Sequence, residues 1–413
     1  MVKKIVATSN NFMATKRLNI LWRRVMAIAA IQAAITLMWI AYRAYLGTLL
    51  GGWGFSEEFT AQLLTVEVFL AVVMEPVFGA LSDRQQRFLG SRLPLISLGV
   101  ILAAAIFIGL PILGVFQLPL RWVLPAVAIA WALAMTMFRT PIYVLLLKST
   151  PSRAELPLAI SVLTMVIGVM GVLKPSIQNG LLAVGALPAF LAGSVTLLIA
   201  SLCLGLILPK PTAPLIDEAP APSPLPWLGF LQTILMAIAL TWGSAIVLQR
   251  WLGLFGSIPL TLGLTVGQGL NLLVALLAIP VGWLTLRWRR YPLLGVAFGW
   301  LTVILLLLLG APAQDGGYVV IALLWAWAFA TVRNGTLPYI FNTIPGDWAG
   351  LGIGIFFGIS GLAAMVLPQW IPADATLLQG FIGVICLAIA TVLALISQQK
   401  KAIATLSSEV SKL

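Results

Sequence analysis

The chain contains no histidine and only two cysteines, and just 9% of its 413 residues are charged. Each scarcity removes a class of function. Without imidazole there is no histidine-based catalytic triad, and any proton-handling step falls to carboxylates. Cys203 and Cys386 each stand alone in an apolar run, so neither has metal-ligand spacing and no disulfide between them can be argued. No phosphate-cradling glycine loop precedes a lysine in the chain, so it carries no nucleotide-hydrolysing module of its own. The expectation is a protein that is not an enzyme and has neither metal nor cofactor. The short pattern Gly350-Leu351-Gly352-Ile353-Gly354 lies in an apolar stretch and reads as small residues for helix packing.

What remains is apolar. Hydrophobic residues make up 61% of the chain and its mean hydropathy is +1.07. They fall in runs of about 20, enough to cross a ~30 Å hydrocarbon core as helix. The ~10-residue alternating segments of a membrane barrel are absent, so the fold class is all-α integral membrane. Twelve spans are expected near residues 25–50, 59–82, 93–116, 120–147, 156–180, 184–208, 225–249, 258–285, 291–311, 317–343, 349–370 and 375–397. A proline-rich stretch at 209–224 separates them six and six and reads as an extended linker. The expected organisation is an N-terminal segment at 1–24, six-helix bundles at 25–208 and 225–397, and a tail at 398–413.

The net charge of +12 does not point to nucleic acid, because the basic residues lie in short loops beside apolar spans. On the side of the map that holds the N-terminus they include Arg23, Arg24, Arg84, Arg87, Arg92, Lys148, Arg153 and Arg287, whereas Arg121 and Arg250 lie at the other face. The positive-inside rule then places both termini in the cytoplasm, which requires an even helix count. A multi-pass protein of the cell's inner (plasma) membrane is expected, with the bilayer as its partner. The polar, basic first 24 residues are followed by an apolar run too long for a cleavable signal, so the first span is expected to stay as an anchor.

The halves also repeat. Pro76-Val77-Phe78-Gly79 through Arg84 is echoed by Pro280-Val281-Gly282 through Arg287, and each precedes a short basic loop and a proline, Pro94 or Pro292. Arg139 lies twelve residues before Pro151, as Arg333 does before Pro345. Two six-helix pseudo-repeats are the build expected of many secondary transporters.

Gly79-Ala80-Leu81-Ser82-Asp83-Arg84-Gln85-Gln86-Arg87 resembles the signature loop of major facilitator transporters. The resemblance implies a gating hinge of Gly79, Asp83, Arg84, Arg87 and Arg92, in which the aspartate pairs with a charge or helix terminus across the inner gate. The continuation to Pro94 is similar to the sucrose-transporter and glycoside–pentoside–hexuronide cation-symporter branches, with Ser91 where those carry an arginine. Phe138 to Pro141 through Arg153, and Asn334 to Pro345 followed by Gly350 to Pro368, are similar to two more elements of those branches. Lys148 stands where they usually have an acidic residue. The bacteriochlorophyll-delivery branch shares the fold and a similar Ser-Asp loop, and is a second resemblance.

Six charged residues fall within spans: Arg43, Glu67, Glu75, Arg139, Lys174 and Arg333. A charge at a helix centre costs about 2.5–3.5 kcal/mol on insertion scales, so each needs a partner or a watery cavity. Similar depths suggest two ion pairs, Arg43–Glu67 and Glu75–Arg139, with Arg139 part of the gate. A carboxyl in apolar surroundings favours its protonated form unless a cation sits beside it, so Glu67 and Glu75 are the expected proton-coupling residues. Gln32, Trp39, Arg43, Lys174, Gln268, Asn271, Arg333 and Asn334 are the expected solute-binding residues, since amides and arginine suit hydroxyl and carboxylate groups and tryptophan stacks on a sugar face. The expected function is secondary active transport of a small polar solute, a sugar or glycoside by resemblance, with proton coupling through Glu67 or Glu75 as one option and facilitated diffusion or efflux as the others. The alternative is a non-transporting factor that delivers pigment during light-harvesting complex assembly. A transporter should turn its intramembrane charges into a polar cavity, whereas a pigment chaperone should keep them paired and dry.

Overall fold

The computed structural model describes residues 20–116, 120–150, 152–208, 223–256, 264–288, 292–310, 317–370 and 376–410. Twelve helices among these are long and apolar enough to cross a membrane, and the protein is a multi-pass integral membrane protein. They are α1 (Trp22–Gly51), α2 (Glu57–Leu89), α3 (Leu93–Phe116), α4 (Val123–Ser149), α5 (Leu156–Val184) and α6 (Ala186–Ile207) in the first half. In the second half they are α7 (Trp227–Phe255), α8 (Val266–Arg287), α9 (Leu293–Gly310), α10 (Gly317–Thr343), α11 (Ala349–Trp370) and α12 (Thr376–Val410). A short 3-10 turn, Gly346–Trp348, leads into α11. The N-terminal residues 1–19, the linker at 209–222 and the start of the eighth expected span at 258–263 lie outside the described residues.

Two boundaries differ from expectation. The second helix runs on to Leu89, so the stretch read as a hinge loop from Gly79 to Arg87 is continuous helix. No helix breaker stands between Ala80 and Leu89; Gly90 is the first residue that takes the left-handed conformation (φ 67°) and ends the helix. The tail expected at 398–413 is likewise a continuation of α12 as far as Val410. At the other end of α2, Ser56 accepts a hydrogen bond from the Phe59 amide at 3.1 Å, and α8 opens on a reciprocal Thr265–Gln268 capping box.

Packing within the halves repeats. In the first, α1 lies against α5 and α6, α2 against α4, and α3 against α4 and α6. In the second, α7 lies against α11 and α12, α8 against α10, and α9 against α10 and α12. Adding six to every helix of the first set gives the second. The same operation exchanges the two broad contacts that join the halves, α2 with α11 and α5 with α8. The halves are therefore related by an approximate two-fold operation.

The α2–α11 seam depends on missing side chains. A Cβ added at Gly79 would lie 2.2 Å from the Gly350 carbonyl oxygen, and one at Gly354 would lie 2.3 Å from that of Glu75. Gly350 and Gly354, one turn apart, let the two backbones touch where any larger residue would separate them. Lipid supplies no hydrophobic drive between helices, so this closeness is what the contact is made of.

Gly354→Ala is expected to force the seam open and lower stability by about 1–3 kcal/mol, the usual penalty of overpacking, read as a fall in melting temperature of the purified protein. Gly361→Ala, whose Cβ would meet only Val68 at 3.9 Å, should leave the melt unchanged or slightly raised by the better helix former.

Candidate central cavity and gate

At the end of α2 that carries the basic residues, Asp83 reaches across to the second half. The first amides of α11 have no partners inside their own helix. Asp83 takes two of them: Oδ1 accepts from the Gly350 amide and Oδ2 from the Leu351 amide, each at 2.9 Å. Arg92 donates to Asp83 Oδ1 and to Ser82 Oγ, both at 2.7 Å, and so clamps the carboxylate from behind. Asp83 and Arg92 are buried, which makes these charge-assisted bonds strong and leaves little room for water. Two more contacts cross the same face. Arg153 donates to the Phe341 carbonyl at 2.9 Å, and the Arg87 guanidinium lies 5.7 Å from the Trp348 ring. Arg84 is exposed and lies over Phe88 of its own helix, joining nothing across the seam.

Deeper along α2, Glu75 is fully buried and forms an ion pair with Arg139 of α4, while the Thr140 hydroxyl donates to its other oxygen. Arg139 also lies 5.1 Å from the ring of Phe357 on α11, so this pair touches both halves. Beside it the Tyr143 hydroxyl donates to Gln32 Oε1 at 2.8 Å.

Above this closed layer a cavity of about 870 Å³ lies between α1, α2, α4 and α5 of one half and α8 and α11 of the other. Five of the six intramembrane charges line it: Arg43, Glu67, Glu75, Arg139 and Lys174, with Trp39, Gln178 and Asn271 among the other polar or aromatic walls. The family model of the Major Facilitator Superfamily matches residues 23–368. The chain belongs to the Major Facilitator Superfamily.

Solved structures of the superfamily's fold agree. The human organic anion transporter TETRAN is 14% identical, with a TM-score of 0.62 over 92% of this chain and 98% of that one. A bacterial homologue of the iron transporter ferroportin, in its outward-facing state, is 14% identical with a TM-score of 0.64, covering 92% and 99%. The proton:xylose symporter XylE is 12% identical with a TM-score of 0.61, covering 92% and 94%. At these identities the likeness is one of fold. No functionally curated protein matches the sequence.

Several expected site residues stand elsewhere in this superfamily member. The Arg43–Glu67 ion pair does not form. Glu67 instead accepts the Tyr42 hydroxyl, and Arg43 lies over the Trp39 ring at 5.9 Å, exposed to the cavity. Adjacent helix residues point about 100° apart, and Tyr42 is the one turned inward. Its ring is held 4.3 Å from that of Trp131, which packs in turn on Phe107 at 4.9 Å. Gln268 is used up at the α8 cap and in a 3.0 Å bond to the Val172 carbonyl of α5. Asn334 is fully buried and donates to the Ala278 carbonyl at 2.9 Å, tying α10 to α8 rather than facing a solute. Arg333 lies over Phe329 and within electrostatic range of Tyr143, outside the cavity lining. Gln32 sits behind the wall, bonded to Tyr143 and Thr36. Tyr42, Thr140 and Tyr143 were not singled out as site residues, although Tyr42 stands beside Arg43 and the other two lie in the Phe138–Arg153 element.

The Glu75–Arg139 pair makes a direct prediction. Glu75→Gln and Arg139→Met should each destabilise the folded protein, because the first leaves Arg139 within the span without its counter-charge and the second leaves the buried Glu75 carboxylate unpaired. In the double variant the losses should fall short of additive by about 0.5–3 kcal/mol, measured by thermal unfolding in one detergent. Strict additivity would mean the two side chains act independently.

Proposed function

We propose that this protein is a secondary transporter that moves a small polar solute by alternating access, with Glu67 as its proton-coupling carboxylate. The observation that carries this reading is the cavity itself. It lies between two pseudo-repeated halves, is closed toward the basic face by Asp83 and the glycine seam, and gathers five intramembrane charges on its walls. If the basic face is cytoplasmic, as the positive-inside rule has it, the closed face is the inner one and the cavity faces outward.

Glu67 suits the coupling role by position. It sits on the cavity wall and its partner is a neutral hydroxyl, so it can take up or release a proton without breaking an ion pair. Glu75, locked between Arg139 and Thr140 in the closed layer, suits the gate better than the coupling step. The resemblance to the sucrose-transporter branch supplies the first solutes to try.

The pigment-delivery reading fits less well. It asks for intramembrane charges that are paired and dry, yet Arg43 and Lys174 are exposed to the cavity and have no ion-pair partner among the described residues.

The test is uptake and counterflow of labelled sucrose, maltose, xylose and glucuronate in proteoliposomes, with and without an inward proton gradient. Gradient-stimulated uptake is expected for at least one solute. Glu67→Gln should abolish the stimulation while leaving solute exchange. Absence of both uptake and counterflow for the whole set, from protein shown to be folded, would sink the small-polar-solute reading in favour of an assembly role.

A further inference from the structure

The charges on the cavity wall do not balance. Arg139 and Glu75 cancel as an ion pair, and Glu75 is further tied to Thr140. That leaves Arg43, Lys174 and Glu67. Glu67 is engaged by the Tyr42 hydroxyl, whereas neither cation forms an ion pair among the described residues. The remaining charge is therefore +1 with Glu67 ionised and +2 with Glu67 protonated. No other helix packed on the site corrects it, because α8 and α11 offer only Asn271 and apolar residues to the cavity.

Depth brings the three groups to one level. Arg43 lies eight residues from the end of α1 on the open side, Glu67 ten from the start of α2, and Lys174 ten from the end of α5. At 1.5 Å per residue these are about 12, 15 and 15 Å in. The helices bearing the two cations, α1 and α5, pack against each other, and the Tyr45 hydroxyl joins them by a 2.7 Å bond to the Leu181 carbonyl. The Arg43 guanidinium lies 5.9 Å from the Trp39 ring on the cavity wall, and the forked donors of an arginine match the two oxygens of a carboxylate. Gln178 and Asn271 stand by to hydrogen-bond the rest of a ligand.

We infer that the solute is a small organic anion whose carboxylate is held by Arg43 and Lys174. The inference rests on the transport-cavity reading above and names the class of solute for it. A neutral sugar closed into this site would leave a net charge of +1, or +2 with Glu67 protonated, without counter-charge, and a cationic solute would be repelled. Proton and anion also favour one another here: a proton on Glu67 raises the positive charge that meets the carboxylate, and the bound carboxylate favours the proton, a reciprocal coupling.

Equilibrium binding to the purified full chain tests this with solutes that share a skeleton and differ in charge. One series is glucuronate, glucose and glucosamine; the others are lactate with lactamide and benzoate with benzamide, all read by tryptophan fluorescence and thermal shift. At least one carboxylate should bind at least tenfold more tightly than its neutral partner. Arg43→Gln and Lys174→Met should each weaken that binding tenfold or more without lowering the melting temperature, and Lys174→Arg should keep most of it. Should one variant fail to fold, the other carries the test. Equal or better binding of the neutral or cationic member, no binding by any carboxylate, or full affinity in the folded variants would overturn the inference. Binding is read without transport, so loss of the anion preference leaves alternating access untouched, and a chain that binds anions but never exchanges them would refute only the transport reading.

Discussion

On the basic face the Asp83 carboxylate ties one half to the other by hydrogen bonds, at the centre of a seam that the Arg153–Phe341 and Arg87–Trp348 contacts flank. Asp83 offers its two oxygens to two amides at the start of α11, the positive end of that helix, where an anion is favoured both by unpaired donors and by the helix dipole. The glycine seam exists in the same place for the same reason: Gly350 both donates its amide to Asp83 and lacks the side chain that would push α2 away, since a Cβ there would lie 2.8 Å from Asp83 Oδ1. Arg92 fixes the carboxylate's orientation. The Asp83 carboxylate and the first amides of α11 meet side chain to backbone, so these two hydrogen bonds can break without disturbing the hydrogen bonding inside either helix.

From that layer outward the structure changes character. Glu75 is buried and paired with Arg139, whose side chain is partly open to the cavity, and the pair bridges to α11 through Phe357. About two turns farther along α2, Glu67 meets a phenol in place of a cation, and the arginine at its own depth faces the cavity. The gradient from paired charges at the gate to unpaired ones at the cavity matches what alternation requires. Contacts near the gate hold a shape, and in the transport reading proposed above the groups farther out are the ones left to meet a solute and a proton.

Much of the fold was legible in the sequence because length and hydropathy are one-dimensional properties. Twelve apolar runs, the proline-rich stretch at 209–224 and a repeat offset yielded the spans and the six-plus-six division, and the motif from Gly79 to Arg87 carried the superfamily resemblance. What stayed hidden was angular. Depth along a helix follows from counting residues, so Glu75 and Arg139 could be set at one level. Which way a side chain points around the helix does not, and Arg43 was matched to Glu67 when the inward residue was its neighbour Tyr42. The amides failed for another reason. Asn334 and Gln268 carry the same chemistry whether they face a ligand or a neighbouring helix, and only packing tells the two apart. The hinge expected between Gly79 and Arg87 proved to be helix because its residues are good helix formers up to Gly90.

Spin-label distances across the two faces measure the latch most directly, in protein with Cys203 and Cys386 replaced. One pair, at the exposed positions Leu89 and Gly346, spans the basic face, and a second, at Thr48 and Leu252, spans the other. In the otherwise unaltered chain the first distance should be short and the second long. With Asp83→Ala the first should lengthen as the second shortens, the two faces exchanging states together. If both distances stay where they were in a folded Asp83→Ala protein, the carboxylate does not hold the halves closed, and the latch role assigned to it is wrong.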